Sequence, residues 1–257
     1  MKFSFYKYQG TGNDFIIIDD RQANFPMNEQ SIIHLCDRRF GIGSDGLILI
    51  QESDEADFHM EFFNPDASKS FCGNGSRCTA ALAYKLGIAD KSMRFTAIDG
   101  MHSASLEAPE IVEVSMKDVD QIQFKNEDLI LNTGSPHYVR FIDDLAAEDI
   151  LRTGKEIRYS EEYKEVGINV NLVEMHDEHA LNCATYERGV ENETLSCGTG
   201  VTAMAIAANA AKNARSPVRV NTKGGSLSVR FTEENGKYTN VFLKGPANFV
   251  FKGEINI

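Results

Sequence analysis

The chain of 257 residues carries 26 Lys and Arg against 38 Asp and Glu, a formal net charge of −12 at pH 7. That surface repels phosphate backbones and excludes nucleic acid as a natural partner, while 42% hydrophobic and 25% charged residues are the balance of an ordinary globular protein. No apolar run reaches the roughly 18 residues a membrane-crossing helix needs, so no membrane partner is expected. Met1 to Phe15 lacks the basic-then-apolar order of a secretory signal, so the expected location is cytoplasmic.

In chain order, Met1 to Phe15 is strand-like and Ile16-Ile17-Ile18 reads as a strand. A short helix is expected over Glu29 to Phe40. Strands are expected over Leu47 to Ile50, Phe58 to Phe63 and Phe95 to Ile98, each a short apolar or alternating run bounded by turn residues. Between the last two lies a longer helix, from about Asn74 to Leu86, stopped by Gly87. The second half opens with a strand over Tyr138 to Ile142 and a short helix over Leu145 to Thr153. Strands over Val170 to Met175 and Ala180 to Tyr186 come next. An alanine-rich helix from about Thr199 to Lys212 precedes strands at Val218 to Val220, Leu227 to Phe231 and Val241 to Leu243. A helix so apolar and so poor in large side chains is expected to be surrounded on most sides, and a sheet wrapped around it would supply that cover.

A weak internal repeat organises these elements. Thr11-Gly12 is answered by Thr133-Gly134, Gly41-Ile42 by Gly167-Ile168, and Cys72-Gly73-Asn74-Gly75 by Cys197-Gly198-Thr199-Gly200, at offsets of 122, 126 and 125 residues. Any one match is noise; three in one order at nearly constant offset indicate a duplicated unit. The expected domains are 1–118 and 119–246, joined near Lys117 to Asn126, where Asp118, Asp120 and Gln121 interrupt the pattern.

The five cysteines are odd in number and scattered, which argues for free thiols rather than a disulfide scaffold. Cys72 and Cys78 are too far apart for a zinc pair and no second pair completes a set. His176 and His179 lack a ligand-rich neighbourhood, so no metal is expected. Cys72 and Cys197 differ from the rest. Each stands immediately before Gly-x-Gly at the start of a long helix, where unpaired backbone N–H groups and the helix dipole stabilise a thiolate. The glycines Gly73, Gly75, Gly198 and Gly200 would let a ligand carboxylate approach those amides. One Cys-Gly at a helix start is usually packing; two at equivalent places can act as acid and base on opposite faces of one carbon, which is what inversion at a weakly acidic C–H requires. Cys78, six residues past Cys72 and about 240° around the helix, serves as an internal control. Packing is its expected role, as for Cys36 and Cys183.

Phe62-Phe63-Asn64-Pro65-Asp66-Ala67-Ser68, with Cys72-Gly73-Asn74-Gly75-Ser76-Arg77-Cys78, resembles the first catalytic block of the diaminopimelate epimerases. Glu187-Arg188-Gly189, Glu193-Thr194 and Ser196-Cys197-Gly198-Thr199-Gly200 resemble the second. Gly12-Asn13-Asp14-Phe15, Gly41 to Gly46, Gly134-Ser135-Pro136-His137 and Asn169-Val170-Asn171 are similar to that family's other signatures, in its order and over nearly the whole chain. The resemblance implies conversion of LL-2,6-diaminopimelate to the meso form, a step toward lysine and peptidoglycan, with no cofactor, PLP included. It implies an α/β (α+β) fold of two pseudo-symmetric domains, each a curled mixed β-sheet around a central helix, with the active site in the cleft between them and 247–257 returning to the first domain.

By motif position, Cys197 would take the proton in the LL-to-meso direction and Cys72 would give one. Asn13, Asn64, Gly73, Asn74, Asn169, Glu187, Arg188, Gly198 and Thr199 would hold the substrate, and His137 and Glu187 would tune the thiols. Diaminopimelate is then the small-molecule partner, and a homodimer is the one assembly left open. Two positions depart from the family pattern. Ser135 stands where Asn is common at a substrate-contacting place, with shorter reach. Pro65 and Ala67 replace the usual Ala and Gly of the Asn64 turn, and Ala67 disfavours positive φ. Other two-thiol racemases and isomerases of similar fold, such as the proline racemases, are the nearest competing reading. A thiol-redox protein lacks its Cys-x-x-Cys spacing, and a binding protein could dispense with one cysteine, yet both are present.

Overall fold

A computed structural model describes residues 2–256. The chain forms two compact units, Met1–Val114 with Gly245–Ile257, and Ser115–Lys244.

The first unit opens with β1 (Lys2–Gly10) and β2 (Asn13–Asp19), a hairpin whose two turn residues, Thr11 and Gly12, both have positive φ, 52° and 85°. That turn type matches the right-handed twist of the strands it joins. Helix α1 (Glu29–Cys36) crosses to β3 (Gly46–Gln51), parallel to β2, and β4 (Phe58–Phe63) returns antiparallel. Helix α2 (Gly73–Lys85) crosses to β5 (Ser92–Ala97), parallel to β4, and β6 (Gly100–Ala108) and β7 (Ile111–Ser115) continue as a meander. The sheet bends around α2, which touches β1, β2, β3, β4 and β6, so Gly73 to Ala83 are all buried.

The second unit repeats that order. β8 (Ile122–Lys125) and β9 (Asp128–Asn132) form a hairpin, and β10 (Pro136–Ile142) lies antiparallel to β9. A 3-10 turn over Leu145–Ala147 and helix α3 (Ile150–Arg158) cross to β11 (Asn169–Asp177), parallel to β10, and β12 (Ala180–Glu187) returns antiparallel. β13 (Asn192–Thr194) folds back on the end of β12, and helix α4 (Gly198–Lys212) crosses to β14 (Val218–Thr222), parallel to β12. β15 (Gly225–Glu234) and β16 (Lys237–Pro246) complete the meander. The last strand, β17 (Asn248–Asn256), pairs antiparallel with β1 in the first unit. In the second unit α4 touches β9, β10, β11, β14 and β15. Its alanines let strands approach on several sides, and Asn213 ends it in a left-handed cap at φ 57°.

The fold is therefore a mixed α+β arrangement of curled sheet around central helices, as the sequence indicates. Two expected helices are shorter or displaced. α1 stops at Cys36 rather than Phe40, because Asp37 turns extended and its carboxylate accepts the N–H groups of Arg39 and Phe40. The chain then doubles back, Ile42 and Gly43 donating to the Leu35 carbonyl and Ser44 to that of Cys36. A Cβ on Gly41 would lie 1.8 Å from the His34 carbonyl oxygen, so only glycine permits this return. The helix expected over Leu145 to Thr153 is two pieces, each with its own aspartate N-cap, Asp144 and Asp149. Strands β6, β7, β8, β9 and β13 escape the apolar-run criterion, since their alternation is short or interrupted by charge.

Candidate active site

In the first unit Cys72 is the N-cap of α2 (φ −132°, ψ 108°), and its Sγ accepts the Gly75 N–H at 3.4 Å. Three amide and carboxylate groups fix what else the thiol meets. Asn13 donates Nδ2–H to Asp45 Oδ2 at 2.8 Å. A carboxylate can only accept, so the Asn13 carbonyl is turned the other way, 3.3 Å from Asn74 Nδ2 and 3.8 Å from Cys72 Sγ. Asn74 is fixed in turn, because its Oδ1 accepts Arg77 Nη1–H at 3.0 Å. The Cys72 thiol thus has a backbone donor on one side and, in Asn13, an acceptor for its own S–H. Asp45 is anchored by Arg38, whose Nη2 lies 2.7 Å from Asp45 and 2.6 Å from Asp14. Lys7 pairs with Asp14 from the buried side. Burial raises the Asp14 carboxyl, but Arg38 and Lys7 outweigh it and hold the group below its ordinary value.

In the second unit Cys197 is the N-cap of α4, with no capping bond from its side chain. Its Sγ lies 3.5 Å from Thr199 Oγ1, which lies 2.9 Å from His137 Nε2. The direction of these bonds follows from Asn171. Its Nδ2 donates to the Tyr138 carbonyl at 2.9 Å and to His137 Nδ1 at 3.2 Å, and its Oδ1 accepts Thr185 Oγ1–H at 3.0 Å. A backbone carbonyl can only accept, which fixes the amide; His137 Nδ1 is then an acceptor and the ring carries its proton on Nε2. His137 therefore donates to the Thr199 hydroxyl, and the hydroxyl hydrogen is left for Cys197 Sγ. Burial, then the charge of Arg188, push the His137 pKa down to about 3, so the ring stays neutral throughout the working range. Thr133 Oγ1 donates to the Thr199 carbonyl at 2.8 Å and fixes the backbone there. Gly200 is required for the same packing, since a Cβ would come 2.8 Å from Asn171 Oδ1. This is a different need from the ligand approach suggested by sequence.

Beside this chain of bonds lies a second group. Asn169 donates to Ser135 Oγ at 2.9 Å and to the Pro136 carbonyl at 3.1 Å, and its Oδ1 accepts the Arg188 backbone N–H at 2.9 Å. Ser135 Oγ also accepts Arg188 Nη2–H at 3.4 Å, which leaves the Ser135 hydroxyl hydrogen for a ligand acceptor. Glu187 ends β12 next to Arg188, and Gly198 is the first residue of α4, as Gly73 is of α2.

The remaining cysteines are set apart by burial. Cys78 and Cys183 are pushed up to about 12 and Cys36 is raised, all through desolvation first, so all three are held as thiols. Among the described residues no cluster of His, Cys, Asp or Glu could hold a metal ion, and no helix is long and apolar enough to cross a membrane.

Of the residues singled out by sequence, the structure brings together Asn13, Cys72, Gly73 and Asn74 in one unit. In the other it joins Ser135, His137, Asn169, Arg188, Cys197, Gly198 and Thr199. Asn64 stands apart: its amide donates to Ser68 and Ser70 and holds its own turn, in which Ala67 does adopt the left-handed region at φ 67°. Asp45, Arg77, Asn171 and Thr185 were not singled out as site residues. Asn171 left a signal, a second asparagine two residues after Asn169 on one face of an apolar strand, which must be hydrogen-bonded if buried.

The family model described as diaminopimelate epimerase matches residues 5–122 and 129–250. A diaminopimelate epimerase of Flavobacterium psychrophilum is 49% identical over 253 residues, covering 97% of this chain and 99% of the relative. One from Aquifex aeolicus is 38% identical over 274 residues, covering 98% and 97%. Among solved structures, a phenazine biosynthesis protein of the PhzF family from Bacillus anthracis superposes over 100% of both chains with a TM-score of 0.78 at 15% identity, a likeness of fold alone.

Proposed function

The chain belongs to the diaminopimelate epimerase family, and we propose that it interconverts LL-2,6-diaminopimelate and meso-diaminopimelate, with Cys197 and Cys72 as the acid–base pair. One observation supports the roles above all: the side chain beside Cys197 offers it a hydrogen, whereas the side chain beside Cys72 offers it an acceptor. Cys197 faces a hydroxyl hydrogen polarised by His137, which favours the thiolate. Cys72 faces the Asn13 carbonyl, which favours the thiol. The resting enzyme then holds a base at Cys197 and an acid at Cys72, the arrangement needed to take the α-proton of the LL isomer and return one to the opposite face. In the meso-to-LL direction the roles exchange.

The N–H groups in the first turns of α2 and α4, Gly73, Asn74, Gly198 and Thr199 among them, would receive the carboxylate next to the reacting carbon. There they would stabilise the charge that develops as the proton leaves. Arg188 and the Ser135 hydroxyl would take the second carboxylate, with Asn169 holding both in place, and Glu187 and Asn13 would contact the amino groups and the remaining polar edge. No cofactor enters this scheme. The reaction places the protein in lysine and peptidoglycan precursor synthesis, in the cytoplasm.

Conversion of LL-diaminopimelate by the purified protein tests the proposal, with L-proline as the competing substrate. Cys72→Ala and Cys197→Ala are each expected to abolish conversion, while Cys78→Ala keeps most of it. Racemisation of proline without action on diaminopimelate would overturn the substrate, and loss of activity in a folded Cys78→Ala protein equal to that of the other two would overturn the roles.

A further inference from the structure

Arg77 lies fully buried on α2, five residues past Cys72. A guanidinium inside a protein ordinarily faces a carboxylate, because an uncompensated buried charge is costly. Here Nε donates to the Pro246 carbonyl at 3.3 Å and Nη1 to Asn74 Oδ1 at 3.0 Å, while Nη2 is buried with no hydrogen-bond partner among the described residues. Among the described residues no carboxylate pairs with it. The pocket is shaped to admit it, since a Cβ on Gly10 would stand 3.1 Å from Nη2.

We propose that Arg77 is a positioning residue for the acid–base thiol Cys72, supplying the fixed positive charge that stabilises its thiolate and the donor that orients Asn74 and Asn13 toward it. The inference rests on Cys72 being one of the two proton-transfer groups. Two routes join the residues. Arg77 fixes the Asn74 amide, which donates to Asn13 Oδ1, and that oxygen faces Cys72 Sγ. Asp45 fixes Asn13 from its other end, so the polarity of the whole chain is set by a cation at one terminus and an anion at the other. The second route is direct. The Arg77 charge couples to the Cys72 thiol, and a unit charge within about 10 Å in a partly desolvated site shifts a titration by on the order of one pH unit.

The surrounding charges leave Cys72 as the group that can respond. Burial lowers the Arg77 pKa only to about 10, so it remains a cation at neutral pH, and its charge couples to the two neighbouring thiols, Cys78 and Cys72. Cys78 is pushed up to about 12 and stays neutral, as does Tyr8 on the adjoining β1, also at about 12. Beyond Asn13, Asp14 and Asp45 are matched by Lys7 and Arg38. On β6, His102 pairs with Asp99 and stacks on Phe71, the residue before Cys72. In the LL-to-meso direction Cys72 begins as a thiol and ends as a thiolate, so this charge stabilises the state formed by proton donation.

The test is a thiol titration in the full-length Cys197→Ala protein, followed by thiolate ultraviolet absorbance and by iodoacetamide labelling with peptide mapping. Cys36, Cys78 and Cys183 are buried and silent in this range. Arg77→Met, lacking both charge and donor, is expected to raise the Cys72 titration by about one pH unit, cutting labelling at neutral pH about tenfold. Arg77→Gln keeps a donor for Asn74 without the charge and is expected to show most of that rise. Arg77→Lys keeps a charge and is expected to lie closer to the parent. Folded Met and Gln variants that titrate with the parent would overturn the inference. If neither folds, Arg77→Lys decides: a folded Lys variant whose Cys72 titrates about one pH unit or more above the parent would overturn the charge as the agent, and one that titrates with the parent supports it. The readout needs no substrate, so failure here with epimerisation intact strikes the Arg77 role alone.

Discussion

Replacement of Thr199 by valine isolates the hydrogen-bond chain that distinguishes the two thiols. Valine is nearly isosteric and leaves the backbone N–H and carbonyl of residue 199 in place, so only the hydroxyl is lost. That hydroxyl bonds to Cys197 Sγ at 3.5 Å and accepts His137 Nε2–H at 2.9 Å. Removing a hydrogen bond to a charged acceptor costs about 1.5–3 kcal/mol, equivalent to a rise of roughly one to two pH units in the thiol titration and a loss of about 10- to 150-fold in reactive thiolate. The LL-to-meso rate at neutral pH should fall by a similar factor, and its pH profile should move upward by the same amount. A second effect is independent of the thiol. His137 is fully buried and its Nε2–H would be orphaned, at a stability cost of about 1–3 kcal/mol. Thr199→Ser retains the hydroxyl and should restore both properties. Thiolate absorbance in a Cys72→Ala background reads the titration, and urea unfolding reads the stability. A folded Thr199→Val protein in which Cys197 titrates as in the parent would refute the relay from His137 through Thr199.

His137 also makes stability depend on pH. Its folded pKa of about 3 lies below the unfolded value of about 6.5, so the neutral ring stabilises the fold fully above 6.5 and that contribution is lost as pH falls toward 3. Unfolding free energy should drop by about 2 kcal/mol more between pH 7 and pH 5 in the parent than in His137→Gln; equal slopes in urea titrations would contradict this. At Ser135, leucine would leave Arg188 Nη2 and Asn169 Nδ2 short of an acceptor and remove the free hydroxyl hydrogen. KM should rise by roughly 5- to 150-fold, from about 1–3 kcal/mol per lost buried bond, whereas Ser135→Asn should bind at least as well as the parent. Unchanged KM in Ser135→Leu would place the residue outside the pocket.

The helices that carry the thiols were legible because glycine, alanine and cysteine there obey simple rules: α2 ends beside Gly87, and α4 is apolar on every side. The duplicated Cys-Gly-x-Gly was legible for the same reason, since two identical helix starts leave the same trace. What sequence could not show was long-range pairing. Asp45 orients Asn13 only because Gly41 and Gly43 let the chain fold back over the end of α1. Arg77 reads as a surface charge on a helix until β1 and Pro246 close over it. Asn171 sets the His137 tautomer across a parallel strand pair, a register that no local spacing encodes. The strain at Ala67 was foreseeable in kind but not in outcome; the chain accepts φ 67° there, held by the Asn64 and Asp66 bonds around it.

Incubation of LL-diaminopimelate with the protein in D₂O tests the two-thiol mechanism most directly. With separate donor and acceptor groups, the first meso product should carry one deuterium at the inverted carbon, delivered from solvent-equilibrated Cys72. LL substrate recovered at the same early time should retain its protium, because Cys197 removes a proton without returning a solvent one to the same face. Deuterium appearing in recovered LL substrate as fast as in product, or product formed with its original proton, would contradict a pair of thiols acting from opposite faces.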